Sequence, residues 1–174
     1  MSAARTVWSS TWRASLITLG VVGITAALNP GLFDYSGLDL RPHAPDWSVL
    51  ERRGPAVQVH LAVAAGAFLL GLVQLLGPKG TLPHRLIGWV WVALMTAAAV
   101  SSLFIMEINH GVFSLIHILS GLTLVSLPMA VYAARRHNVA AHRRAMTNLF
   151  FGALVVAGVL AFLPGRAMWA MFFG

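Results

Sequence analysis

The sequence predicts an all-α integral membrane protein of five transmembrane helices. Helices two to five form an antiparallel four-helix bundle, with the N terminus cytoplasmic and the C terminus outside. Three observations predict it. Of the 174 residues, 58% are hydrophobic and only 10% charged, against about 25% charged in an average soluble domain. The apolar excess falls into five runs of helix-forming length. The charges are divided unequally between the loops that join those runs.

The first run is residues 14–28, preceded by Trp12 and Arg13 and closed by Asn29-Pro30-Gly31. It is short, but Arg13 can snorkel and extend it. A basic start and a short apolar run also describe a signal peptide, but no persuasive small-residue cleavage site follows. The second run, 56–76, ends at Gly77-Pro78. The third, 86–106, is introduced by Thr81-Leu82-Pro83, where Thr81 suits an N-cap and Pro83 an early helical position. The fourth is 112–134, and the fifth, 146–163, is closed by Pro164-Gly165. The tail, 167–174, is too short to span and is expected in the interface. The expected organisation is therefore a first helix within 1–29, an acidic external loop 30–55, the bundle 56–166 and the tail.

With the N-terminal side taken as inner, that side holds Arg5, Arg13, Lys79, Arg85, Arg135, Arg136, Arg143 and Arg144. All the acids (Asp34, Asp39, Asp46, Glu51 and Glu107) fall outside, with Arg41, Arg52, Arg53 and Arg166. This is the positive-inside pattern. The net charge of +7 therefore reports topology. Nothing basic is interleaved with exposed aromatics, so nucleic acid is not an expected partner. The chain has no cysteine, which excludes disulfides, thiolate metal sites and a covalently attached c-type haem.

Seven histidines stand out in so apolar a chain. His43 and His137 read as solvated loop residues. His60 and His117 lie near the outer starts of the second and fourth helices. His84 and His142 lie near the inner starts of the third and fifth. These are two pairs at two depths, about 20–25 Å apart along the helices. A lone histidine at a helix end is more often interfacial than a ligand. Four in depth-matched pairs on consecutive helices suit two b-type haems, each needing an imidazole on either face and apolar walls around it. Arg52 and Arg53 outside, and Arg85, Arg143 and Arg144 inside, are candidate propionate partners. Gly88 and Gly121 each stand one turn after a histidine and would let a macrocycle approach, although close helix packing is the commoner use of such a glycine. His110 is an alternative to His117 as outer ligand. With Glu107 and Asn109 it could also make a proton, quinone or non-haem metal site, or simply a solvated turn.

The segments His60-Leu61-Ala62, Leu82-Pro83-His84-Arg85-Leu86-Ile87-Gly88 and Ala141-His142-Arg143-Arg144-Ala145-Met146 resemble the bacterial domain-of-unknown-function family 2306, over roughly 56–166. That family looks like a relative of the two-haem cytochromes similar to cytochrome b561. The resemblance implies haem ligation by His60 with His117 and by His84 with His142. It also implies a multi-pass bacterial plasma-membrane oxidoreductase. After Gly88, where that pattern has an arginine and an aromatic residue, this chain has Trp89, Val90 and Trp91. The shorter spacings leave the inner ligands nearest the surface, so the outer haem is the better supplied. The expected function is transmembrane electron transfer linked to quinone, superoxide or another small redox partner. The competing expectation is a non-haem accessory subunit of a larger membrane complex. Lipid surrounds the protein in either case, and a homo-oligomer or larger assembly fits both.

Overall fold

A computed structural model describes residues 41–105 and 115–174 of the chain. The first expected span, 14–28, lies outside the described residues, as do Glu107, Asn109 and His110. The described residues are helical, with no strand among them. Four helices there are long and apolar enough to cross a membrane: Pro55–Leu76, Leu82–Leu103, His117–Arg135 and Val139–Ala161. The described residues divide into two compact units, one being Gly54–Leu154 and the other the described part of Met1–Arg53 together with Val155–Gly174.

In the first unit, helix α2 (Pro55–Leu76) starts on a proline, whose missing N–H is not needed in the first turn. Its end is closed by Lys79, whose ammonium donates to the carbonyls of Gln74, Leu75 and Gly77 at 2.7, 2.8 and 2.7 Å. A cation there satisfies carbonyls that have no partner within the helix. Helix α3 (Leu82–Leu103) is capped by Thr81, whose hydroxyl accepts from the His84 N–H at 3.3 Å. Helix α4 (Leu115–Arg135) ends in a two-bond left-handed cap. The Asn138 N–H donates to Ala133 at 2.9 Å and the His137 N–H to Ala134 at 3.0 Å. His137 sits at φ 56° to allow it.

Asn138 then caps helix α5 (Val139–Asn148), accepting from the Ala141 N–H at 3.1 Å. The fifth expected run therefore begins seven residues earlier than its apolar text, and His142 lies inside the helix. Hydropathy marks the part of a helix that needs lipid. The capping amide marks where the helix begins. A π-helical segment follows at Leu149–Val155, then α6 (Val156–Ala161).

Close packing in this unit joins sequence neighbours: α2 with α3, α3 with α4, and α4 with α5. On α3 the buried residues Trp91, Met95, Ala98 and Ser102 recur at four- and three-residue steps, and His84 and Gly88 continue the same stripe. On α4 the buried face is His117, Ser120, Thr123, Leu127 and Ala130. The opposite face, Ile118, Leu122, Val125, Met129 and Tyr132, is exposed. That face has the period of a helix side that meets lipid.

The second unit contains α1 (Trp47–Glu51), numbered first in chain order, and α7 (Ala167–Phe172). Asp46 caps α1. Hydrogen bonds from the Ser48 side chain and backbone hold its carboxyl below the ordinary range. The tail is helical. It forms α7, whose Met171 and Phe172 carbonyls accept from the Asp46 and His43 N–H groups at 2.9 and 3.1 Å. The His43 ring lies against the carbonyls of Ala44 and Gly174 at 2.7 and 3.1 Å. It is exposed, as expected, yet held by the tail.

Candidate functional site

The histidines are positioned by the antiparallel register of α2 on α3. Three side-chain hydrogen bonds mark it. His60 Nδ1 lies 2.9 Å from the Ala98 carbonyl, Trp91 Nε1 donates to Ala67 at 2.9 Å, and Gln74 Nε2 donates to His84 at 2.8 Å. The partners step by seven residues on both helices, so one stripe of α2 (His60, Ala64, Ala67, Gly71, Gln74) faces one stripe of α3. The middle of the α2 stripe is small, which lets the backbones approach. "Upper" below means the end of the bundle that carries the start of α2, and "lower" the end with the Gly77–Thr81 turn.

At the upper end the His60 ring meets two acceptors. Its Nδ1 also lies 3.2 Å from the Ser101 hydroxyl oxygen, and Ser101 donates to the Ala98 carbonyl at 3.1 Å. A carbonyl only accepts, so His60 Nδ1 carries the proton and Nε2 keeps its lone pair. His117 is 6% exposed. It has interactions with its surroundings, and its Nε2 is buried. Hydroxyl groups of Ser102 and Ser120 meet between α3 and α4, and Ser102 donates onward to Ala99. Ser120 is one turn below His117. His117 therefore stands roughly 6–10 Å further toward the upper end than the acceptors of His60, at 1.5 Å per residue. The upper histidines share an end of the bundle but are offset along it.

At the lower end, His142 Nδ1 donates to the Ala130 carbonyl of α4 at 3.0 Å. By the same reasoning its Nε2 is left to accept. His84 makes no ring hydrogen bond among the described residues, and His142, Lys79 and Arg85 lie within electrostatic reach of it. By the same count the Ala130 carbonyl stands about level with Trp91, roughly 10 Å above His84, so the lower histidines also share an end of the bundle but are offset along it. Arg85, Arg143 and Arg144 are exposed at that end and make no side-chain hydrogen bond or ion pair among the described residues. Arg52 and Arg53 belong to the other unit, where Arg52 donates to the Ser48 hydroxyl at 2.8 Å.

The two glycines differ. A Cβ on Gly88 would stand 3.1 Å from Gln74 Nε2, so this glycine makes room for the Gln74–His84 hydrogen bond. Among the described residues, a Cβ on Gly121 would meet nothing within 4 Å. Trp89 is exposed, with Arg135 stacked 5.7 Å above its ring. Trp91 is 5% exposed, a core residue. No three His, Asp or Glu side chains converge among the described residues. Ser101, Gln74 and the carbonyls of Ala98 and Ala130 went unremarked in the sequence. The signal for them was the four-three spacing shared by the α2 and α3 stripes.

Four apolar spans with histidines at both ends of a packed bundle define a multi-pass membrane protein. The chain belongs to the family described as predicted membrane protein DUF2306, whose model matches residues 57–173. No curated protein and no solved structure matches the chain.

Proposed function

We propose that the protein is a transmembrane electron carrier that holds two b-type haems. His60 and His117 would serve the upper one and His84 and His142 the lower, with His110 the alternative to His117. The observation that carries this reading is the state of the imidazoles. His60 and His142 each give their Nδ1 proton to a main-chain carbonyl of the neighbouring helix. A carbonyl acceptor on Nδ1 fixes the tautomer and ring orientation and makes Nε2 a better ligand. In a membrane interior such nitrogens are costly unless used. A bound b-type haem would supply a reversible one-electron couple at each end.

The chain's own residues would then have separate tasks. Ala98, Ser101 and Ala130 orient the ligands. Arg85, Arg143 and Arg144 provide guanidinium groups for carboxylates at the lower end. The lower end, with its basic turns, is the cytoplasmic one in this reading, and the membrane is a bacterial plasma membrane. Quinone, superoxide or another small redox partner exchanges electrons at the faces.

The test is an optical spectrum, oxidised and dithionite-reduced, with a pyridine haem assay. The expected result is a b-type spectrum near two haems per chain, falling to one in His142→Ala and to one in His60→Ala. A colourless protein from haem-replete cells overturns the reading.

A further inference from the structure

The end of α4 and the first turns of α3 meet on the surface of the bundle at its lower end. The Ser102–Ser120 contact sets Arg135 level with Ile87, roughly 3 Å below Trp89 at 1.5 Å per residue. From that height the Arg135 guanidinium lies over the Trp89 ring, 5.7 Å from its centroid. Its neighbour in the chain does the same on its own helix. The Arg136 guanidinium lies over the Tyr132 ring, 5.3 Å from the centroid, and its Nε donates to the Tyr132 hydroxyl at 3.0 Å. All four side chains are exposed and belong to the unit Gly54–Leu154.

A ring attracts the charge of a guanidinium but leaves its N–H groups without an oxygen acceptor. The Arg135 side chain makes no hydrogen bond among the described residues, and no Asp or Glu lies at this end among them. Positive charge alone would serve topology from a lysine anywhere in these turns. A cation also suits the negative end of α4, whichever residue carries it. Neither effect needs a planar cation with a ring beside it. Two consecutive arginines, each laid on a ring, are oriented donors, and a phosphate offers the oxygens that accept from them. Toward the upper end both flanks continue as apolar surface. Ala93 stands one turn above Trp89 on α3, and Met129 and Val125 stand above Tyr132 on α4, all exposed. A ligand with an anionic head and a long apolar body matches both halves.

We propose that Trp89, Tyr132, Arg135 and Arg136 form a binding site for the phosphodiester headgroup of an anionic glycerophospholipid, whose acyl chains lie along the exposed faces of α3 and α4. The site goes beyond the electron-carrier reading and is independent of the histidines. The phosphate oxygens accept from the guanidinium N–H groups, and no covalent bond is made or broken. The rings stand at headgroup depth, where aromatic side chains collect. Phosphatidylcholine carries the same phosphate with a trimethylammonium group beside it, which the arginines repel. Phosphatidylglycerol has no such cation.

In the experiment the full-length protein, in a neutral detergent, is equilibrated with equal amounts of phosphatidylglycerol and phosphatidylcholine of the same chain length. Native mass spectrometry counts the lipids that stay bound. The wild type retains phosphatidylglycerol over phosphatidylcholine by roughly tenfold. Arg135→Lys combined with Arg136→Lys keeps the charge but loses the planar fork, and the preference falls to about twofold. Trp89→Leu keeps both arginines and lowers the preference by about threefold. Should the lysine pair not assemble, Tyr132→Phe carries the comparison, since it removes only the hydroxyl that orients Arg136. A lysine pair that prefers phosphatidylglycerol as strongly as the wild type overturns the site and leaves a diffuse charge effect in its place. Equal retention of the two lipids by the wild type overturns it as well. Glycerol phosphate at millimolar concentration separates a lipid from a free phosphate. It leaves the bound lipid in place, and displacement by it overturns the lipid assignment. Haem content enters none of these readouts, so failure of the carrier reading and failure of the lipid site are told apart.

Discussion

His137 occupies the position after α4 where a left-handed backbone closes the helix, at φ 56°. It is the only non-glycine residue with positive φ among the described residues. Glycine is the usual occupant, because a Cβ in this conformation crowds the following carbonyl. The histidine is exposed, and the motif uses only its backbone, through the bonds to Ala133 and Ala134. His137→Gly should therefore stabilise the protein by about 0.5–1 kcal/mol, the relief of strain being partly offset by the greater freedom of glycine in the unfolded chain. Thermal unfolding in detergent checks it. The contrast with His142, five residues later, shows how little residue type says by itself. One imidazole ends a helix turn, while the other reaches across to the Ala130 carbonyl at 3.0 Å.

The helices meet most tightly where α2 is thinnest. Gly71 faces Phe150, and a Cβ on it would lie 2.4 and 2.5 Å from two ring carbons. The ring is not a loose end that can swing aside, because it is buried, stacked on Phe68 and set edge-on to Phe151 at 5.1 Å. Alanine would favour the helix by about 1 kcal/mol over glycine. Overpacking of a filled core costs about 1–3 kcal/mol, so Gly71→Ala is expected to destabilise. In a Phe150→Leu background the same substitution should become neutral or stabilising, and chemical denaturation of the four proteins measures that coupling. At this scale the apolar runs already located every described span, and Pro83 and Thr81 announced the start of α3. The α5 start was hidden because His142, Arg143 and Arg144 are polar, so the first turns read as loop. The π segment leaves no mark in an apolar run. The α2–α3 register was present in the stripes, but it takes the bonds at Ala98, Ala67 and His84 to show which stripes face each other. For the site, helix ends and spacing were enough to group the histidines by end. The offsets within each pair depend on how the helices lean, which spacing does not contain.

Across the whole molecule, charge and apolar surface divide along different directions. The exposed faces of the spans carry Leu69, Leu72, Val73 and Leu76 on α2 and the Ile118-to-Tyr132 stripe on α4. In water such faces would associate, whereas lipid covers them at no cost. The lower turns and helix starts carry Lys79, Arg85, Arg135, Arg136, Arg143 and Arg144, with no acid among the described residues at that end. Near an anionic cytoplasmic leaflet each basic side chain gains about 1 kcal/mol, and basic loops resist translocation. Under the proposed reading both effects favour a cytoplasmic lower end. Asp46 and Glu51 precede α2 in the chain. The absence of cysteine makes this directly testable with single-cysteine variants. Trp47 and Arg136 are both exposed and are not proposed haem partners, so Trp47→Cys and Arg136→Cys serve. On intact cells a membrane-impermeant maleimide should label the variant at 47 and spare the one at 136 until the membrane is opened. The opposite pattern would place the guanidinium-rich end outside and reverse the faces at which the proposed electron donor and acceptor must meet the protein.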